Sequence, residues 1–123
     1  MNLSTPERRP LLRYRYEGSR ALPGQLIGRP IAITRFELTA SRMNPGKSLL
    51  VAQVETPTGN HVLMTESWTL ISTLRGTEDM LPHQTKIIRK RDGYYYFVAL
   101  NRMELKSLEG GKKNDQAENR HRG

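Results

Sequence analysis

Cations and aromatic rings meet in one short stretch of this chain, on either side of an Asp-Gly turn signal. Four cations precede the turn and four rings follow it: Lys86, Arg89, Lys90 and Arg91, then Tyr94-Tyr95-Tyr96-Phe97. Single-stranded nucleic acid is commonly held by cations that track the phosphates and by rings that stack on the bases. The stretch therefore predicts a basic strand that is joined to an aromatic strand and binds such a ligand.

Alternation along the aromatic strand divides its rings between two faces of a sheet. Tyr94 and Tyr96 share a face with Val98 and Leu100, whereas Tyr95 and Phe97 share the other. We assign the first set to the core because it ends in two aliphatic side chains, so Tyr95 and Phe97 should face outward or into a groove. The alternative is a twisted barrel that buries rings on both faces.

Further candidates lie earlier in the chain, on a β-rich segment and on the Pro-Gly loop after it. The complete set of expected nucleic-acid contacts is Arg35, Phe36, Arg42, Lys47, Lys86, Arg89, Arg91, Tyr95 and Phe97. For the cations, the ordinary alternatives are a solvated loop and a charged edge that discourages strand pairing. Upstream, Arg13-Tyr14-Arg15-Tyr16 alternates, so an extended backbone would place both arginines on one face and both tyrosines on the other. The ordinary alternative for this segment is an arm whose tyrosines pack on the barrel.

Catalytic patterns are absent from the sequence. The histidines His61, His83 and His121 have no metal-ligand partner at a useful spacing, and there is no cysteine. A glycine-rich phosphate loop and a nucleophile elbow are missing too. We expect no catalytic residue, no metal, no cofactor and no enzymatic activity. Acidic residues that flank the expected helix leave a metal-dependent nuclease as the enzymatic alternative: Glu66, Glu78 and Asp79.

Composition and charge indicate a polyanionic partner. The 123 residues carry 20 Lys and Arg against 12 Asp and Glu, a net charge of +8. Residues 26–80 are neutral, so the excess lies in both terminal regions and in residues 81–110. No apolar run approaches the roughly 18 residues that span a bilayer, and the N-terminus lacks a secretory apolar core. Together with the missing cysteines, this favours a cytoplasmic protein that binds nucleic acid and no membrane.

The chain predicts five strands and one helix in the order strand, strand, strand, helix, strand, strand. The strands are expected at residues 31–40, 49–56, 61–65, 84–91 and 94–100, and the helix at 67–76, with Trp68, Ile71 and Leu74 on its buried face. Residues 101–108 would extend the last strand or form a short helix. This order predicts an all-β fold with one helix, a five-stranded OB-type barrel. An unrelated α+β sheet is the alternative.

Three regions follow from the same pattern. Residues 1–25 form a basic, partly disordered N-terminal arm, residues 26–108 form the barrel, and residues 109–123 form a disordered polar and basic tail. The first strand is long enough to pair with a second copy of the chain, so the oligomeric state stays open.

The segment 26–100 resembles small OB-fold single-stranded-DNA-binding proteins of bacteriophages and mobile elements. The resemblance is carried by a capped helix followed by Leu81-Pro82, a basic strand, a turn and Tyr94-Tyr95-Tyr96-Phe97. It implies coating of exposed strands, without catalysis, during replication or recombination. Such proteins often end in an acidic tail that recruits partners, whereas residues 109–123 are net positive. A protein-interaction module and a binder of duplex DNA or structured RNA are the alternatives.

Overall fold

The structure is a computed structural model that describes residues 12–109. The predicted disorder of residues 1–10 and of the tail beyond residue 109 lies outside the described residues. Between residues 12 and 109, no helix is long and apolar enough to cross a bilayer.

Six strands and two short α-helices make up the described chain. They are β1 (Ser19–Ala21), β2 (Ile31–Ala40), β3 (Ser48–Thr56), β4 (Gly59–Thr65), α1 (Trp68–Leu74), β5 (His83–Arg89), β6 (Tyr95–Val98) and α2 (residues 102–109). Single 3-10 turns, Pro23–Gln25 and Glu78–Met80, precede β2 and β5. Strands β2 to β6 and helix α1 follow the predicted order, and β1 is an additional strand.

The strands form one sheet in the order β1-β4-β3-β2-β5-β6, which curls into a half-barrel. Strand β1 runs parallel to β4, and the remaining strand pairs are antiparallel. The barrel-like, mostly β architecture agrees with the prediction, but the sheet has six strands where five were expected. The extra strand begins at Ser19, upstream of the expected start of folded structure, and buries Ala21 at 3% exposure.

The core fills the inner side of the curled sheet. Its members come from β1 to β5, from α1 and, in the case of Leu26, from the end of the first 3-10 turn: Ala21, Leu26, Ile31, Ile33, Phe36, Leu50, Ala52, Val54, Leu63, Leu70, Ile71, Leu74 and Ile87. Ile71 and Leu74, which the sequence places on the buried face of the helix, are fully buried. Val98 and Leu100, which were assigned to the core, are only half-buried.

A β-bulge in β2 decides which of its side chains face the core. Ile33 and Arg35 pair with the adjacent residues Val54 and Gln53 of β3, so Thr34 is an extra residue. Ile33 faces the core before the bulge and Phe36 faces it afterwards, which turns Arg35 to the outer side. Phe36, expected as a nucleic-acid contact, is 7% exposed and therefore packs in the core.

The hairpin between β5 and β6 reverses the expected faces of the aromatic strand. The Lys90 carbonyl accepts from Gly93 N–H, the Lys90 N–H donates to the Tyr94 carbonyl, and Gly93 has φ of 88°. This is a three-residue loop with a glycine bulge, not the two-residue turn that Asp92-Gly93 predicts. The added residue slips the register by one and exchanges the two faces of β6.

The pairing confirms that slip. Arg89 lies opposite Tyr95, and Ile87 lies opposite Phe97. Tyr95 and Phe97 therefore pack against the core beside Ile87, whereas Tyr94 is 60% exposed. The expectation that Tyr95 and Phe97 face outward is wrong, because the loop contains one residue more than the turn signal indicates.

Helix α1 begins after Ser67, whose hydroxyl accepts from the Leu70 N–H, and it buries Leu70, Ile71 and Leu74. Thr69 at its first turn donates to the Tyr95 carbonyl, which joins the helix to β6. Trp68 does not belong to the buried stripe. Its ring is 62% exposed and lies beneath the Arg75 guanidinium, 5.4 Å from the ring centre.

Truncating the buried side of α1 should destabilise the fold. Ile71→Ala and Leu74→Ala should each lower the free energy of unfolding by about 2–5 kcal/mol, since both leave cavities in a closed core. Met43→Ala is the control, because Met43 is 84% exposed and should change stability by less than about 0.5 kcal/mol. Urea denaturation measures all three, and equal midpoints would show that α1 does not close the core.

Candidate nucleic-acid interface

The outer face of the sheet, opposite the core, carries two rows of paired side chains. One row is Glu37, Val51 and Met64, and the other is Arg35, Gln53 and Val62, each contributed in turn by β2, β3 and β4. The bulge in β2 brings the two β2 residues to this side. Val51 is fully buried and Gln53 is 5% exposed although neither faces the core, so something covers them.

The cover is the arm, which we define as residues 12–18. Its backbone is not part of the sheet and is attached to the outer face by side chains. Glu37 accepts hydrogen bonds from the N–H groups of Arg13, at 2.8 and 3.0 Å, and of Tyr14, at 3.1 Å. The Tyr16 hydroxyl donates to the same carboxylate at 2.9 Å. A single carboxylate thus holds three groups of the arm.

Two further outer-face side chains complete the attachment. The Gln53 side chain accepts from the Glu17 N–H at 2.7 Å and donates to the Glu17 carbonyl at 2.8 Å. The Arg35 guanidinium lies over the rings of Tyr14 and Tyr16, at 5.6 and 5.5 Å, and donates to the Arg15 carbonyl. Arg35 therefore positions the arm instead of facing solvent as a phosphate contact.

Gly18 allows the arm to pass close to the start of β4. Its φ of 102° lies in the left-handed region that favours glycine, and an added Cβ would lie 2.0 Å from the Asn60 carbonyl oxygen. Any other residue at this position would push the arm away from β4.

A groove of about 650 Å³ runs between the arm and the strands beneath it. Its lining residues are Leu12, Tyr14, Tyr16, Gly18, Arg20, Arg42, Val51, Val62 and Met64. The floor is aliphatic, Tyr14 on the wall is 44% exposed, and two arginines contribute charge. No carboxylate of the described part of the chain belongs to this lining, so the groove suits a ligand with apolar rings and negative charge.

Arg20 links the groove to a smaller hollow at the β1 edge. This hollow has a volume of about 180 Å³ and is lined by Ser19, Arg20, Ala21, Gln25, Leu26, Arg29 and His61. Among residues 12–109, its lining also lacks carboxylates. A third concavity, of about 450 Å³ between α2 and β3, is lined by Glu55 and Glu109 and, within the same residues, by no Lys or Arg. We take the groove and the hollow, which share Arg20, as the candidate site for a polyanion.

The loop between β2 and β3 brings one predicted cation to the groove. Ser41 and Asn44 both donate to the Glu66 carboxylate, the latter at 2.6 Å, and these bonds fix the loop. The Ser41 hydrogen bond, aided by Asn44 and by the Lys47 charge, lowers the pKa of Glu66. Arg42 lines the groove, whereas Lys47 is exposed on the same loop outside that lining.

The remaining predicted cations lie on the β5–β6 hairpin and do not line the groove. Lys86 forms an ion pair with Glu104 of α2 at 2.7 Å. Arg89 lies over the Tyr95 ring at 5.7 Å, and Arg91 is exposed in the loop. Of the predicted cations, Arg42 lines the groove, Arg35 holds the arm beside it, and Lys86, Arg89 and Arg91 lie apart on the hairpin.

Three residues that shape the groove, Tyr14, Arg20 and Met64, are not among the predicted contacts. The alternation of Arg13-Tyr14-Arg15-Tyr16 allowed an arm whose tyrosines pack on the barrel, but the sequence did not show that the arm covers the outer face of β3. Among residues 12–109, no group of three or more His, Asp or Glu side chains could hold a metal ion.

A sequence profile for a domain of unknown function, DUF8468, matches residues 11–98, more than half of the chain. The chain belongs to this family. The match extends from the arm to the end of β6, so the arm lies within the DUF8468 domain and α2 lies after it. No curated protein and no solved structure matches the chain.

Acid should detach the arm of the DUF8468 domain. Burial alone would raise the pKa of Glu37, but the Arg13 and Tyr14 N–H groups and the Tyr16 hydroxyl outweigh it and lower that pKa. A lowered pKa in the attached state means that the attachment is fully present above the ordinary glutamate pKa and is lost as pH falls through the lowered value. The backbone amide NMR signals of Arg13 and Tyr14 should report this release.

The control for this titration is Glu37→Gln, in which the arm signals should show no step in the same acid range. The Val54 amide reports the core. If the arm signals of the unmodified protein change only when Val54 also changes, Glu37 does not control the arm.

Proposed function

We propose that this domain binds single-stranded nucleic acid in the groove beneath the arm, without catalysis and with little sequence preference. The observation that carries the proposal is the lining of the groove, where an aliphatic floor, a tyrosine ring and two arginines meet and where residues 12–109 contribute no carboxylate. Bases can pack on the floor and on Tyr14, and each base stacked on a ring contributes about 1–3 kcal/mol.

The phosphates would follow the cations along the edge of the groove. Arg42 stands on the loop after β2, Arg20 stands on β1, and Arg29 extends the series into the adjoining hollow. The exposed hairpin cation Arg91 is a second proposed contact. Lys86 is a weaker candidate than sequence analysis suggests, since its ammonium is already paired with Glu104.

The strand order supports an OB-type barrel with one strand added at its N-terminus. Strands β2 to β6 have the spatial order β4-β3-β2-β5-β6, and α1 follows the third of these five strands in sequence. OB folds bind oligonucleotides on the face of their second and third strands, which correspond here to β3 and β4. The accessible groove floor is formed by Val62 and Met64 of β4, and Val51 of β3 lies fully buried directly beneath it.

A protein-interaction module remains the competing function, because an acidic protein segment would also be attracted to the arginines. The aliphatic floor beside an accessible ring favours a ligand with flat apolar groups. A single strand of nucleic acid offers such a group, the base, at every nucleotide.

Removing a groove cation should weaken binding and reduce its salt dependence. Arg42→Ala and Arg20→Ala, which remove the two arginines of the groove lining, should each lower affinity for a labelled single-stranded oligonucleotide and flatten the log–log salt slope by about 0.7, the value for one phosphate on a single strand. Arg75→Ala is the matched control because it removes the same charge. Arg75 stacks on Trp68 and lines neither the groove nor the hollow. Fluorescence anisotropy with DNA and RNA single strands and with duplex DNA gives the constants.

An equal loss in all three variants would show that only overall charge matters. Equal affinity for duplex and single strand would favour the duplex alternative, and no binding at about 50 mM salt would support the protein-interaction module.

Removing the accessible ring should weaken binding without changing the salt slope. Tyr14→Ala should lower affinity by about 1–3 kcal/mol, because stacking releases no counterions. Trp68→Ala is the control: this ring is also exposed but lies on α1, outside the groove lining. The same anisotropy titrations at several salt concentrations measure both. Identical affinities for the two variants would remove the support for base stacking on the arm.

A further inference from the structure

Glu37 places a carboxylate next to the site proposed for a polyanion. It lies on the outer face beside Val51, which is fully buried beneath the groove. Such a charge would repel phosphate if it were open to the groove. It is instead directed at the arm, where it accepts from two backbone N–H groups and from a tyrosine hydroxyl.

The attachment of the arm depends on few side chains. Residues 12–18 belong to no strand, and the contacts that hold them come from Arg35, Glu37 and Gln53. Glu37 accepts the hydrogen bonds from Arg13, Tyr14 and Tyr16, so it holds the arm at Tyr14, whose ring forms the groove wall, and at both sides of it. Without those bonds the tyrosines would lose their hydrogen bonds to the sheet and keep their ring contacts with Arg35 and with each other.

We propose that Glu37 is a positioning residue for a bound nucleic-acid strand. Glu37 holds the arm on the sheet, and the attached arm completes the groove. The bound nucleic acid and the attached arm therefore stabilise each other. The part that concerns the strand rests on the proposed function. A nucleic-acid strand that contacts both Tyr14 and the groove floor finds them together only when the arm is attached. It therefore binds the attached state preferentially and, by linkage, raises the population of that state.

An effect of overall charge alone and the proposed role of Glu37 predict opposite changes in the affinity of Glu37→Gln for nucleic acid, so a binding measurement distinguishes them. Glu37→Gln and Glu17→Gln each raise the net charge from +8 to +9. If only the overall field mattered, both variants would bind a polyanion more tightly. Glu17 is held through its backbone N–H and carbonyl, so its substitution leaves the attachment in place. Glutamine at position 37 is neutral and has one carbonyl oxygen, so it cannot replace the three bonds.

The first measurement is the affinity for a labelled 12-nucleotide oligothymidine, by anisotropy at fixed salt. Glu37→Gln should bind roughly five- to tenfold more weakly than the unmodified protein, within the usual range of coupling between sites. Glu17→Gln should bind as tightly as the unmodified protein or more tightly. Equal or tighter binding by Glu37→Gln would overturn the proposal.

The second measurement is hydrogen exchange at the Arg13 and Tyr14 amides, which needs no nucleic acid. Glu37→Gln should accelerate exchange at both, Glu17→Gln should not, and the oligonucleotide should slow exchange in the unmodified protein. Unchanged exchange in Glu37→Gln would overturn the role of Glu37 whatever the binding data show. Accelerated exchange together with no binding by the unmodified protein would support the fastening and refute the proposed function.

Gly18→Ala tests the same arm without changing charge. The added Cβ would meet the Asn60 carbonyl and should displace the arm, so binding should weaken and arm exchange should accelerate as in Glu37→Gln. The thermal midpoint of each variant checks that the core remains folded, since the arm lies outside it. A displaced arm with unchanged affinity would overturn the proposed coupling.

Discussion

Hydrogen bonds to carboxylates hold the basic segments of this domain in place. Glu37 fastens the arm, Glu66 fixes the loop after β2, Asp92 accepts from Tyr94 N–H and the Tyr96 hydroxyl in the hairpin, and Glu104 pairs with Lys86. In each case these bonds lower the pKa of the carboxyl, so all four are ionised at neutral pH. These four carboxylates are therefore engaged by groups of the same molecule, while cations such as Arg42 and Arg91 remain exposed.

Two one-residue insertions determine which side chains this surface presents. The bulge at Thr34 turns Arg35 and Glu37 outward and Phe36 inward. Without it, strand alternation would direct a cation and a carboxylate into the core, where neither could be solvated. The third residue in the β5–β6 loop acts in the same way on β6, where it buries Tyr95 and Phe97. Because side chains alternate with a period of two, one added residue exchanges the faces of everything that follows it.

The sequence predicted the elements better than the faces. The predicted strand 31–40 coincides with β2, the next three begin or end within two residues of β3, β4 and β5, and α1 lies inside its predicted range. These elements are set by local signals: β-branched runs, turn residues and a helical stripe. The bulge, the loop length and the exposure of Trp68 depend on tertiary fit, which one sequence does not reveal. Strand β1 has three residues, too few for any period, and the path of the arm depends on pairing with Glu37, 23 residues beyond Tyr14.

The contacts that attach the arm to the sheet explain why the proposed site should discriminate poorly between bases. Discrimination between bases requires hydrogen-bonding groups that face base edges at fixed positions. On the outer face those groups are already used: Glu37 and Gln53 bond the arm backbone, and Arg35 lies between two tyrosines and the Arg15 carbonyl. What remains for the ligand is an aliphatic floor, an accessible ring and flexible arginines. These contribute stacking and charge, which every nucleotide satisfies equally, so the interactions that build the groove also limit its selectivity.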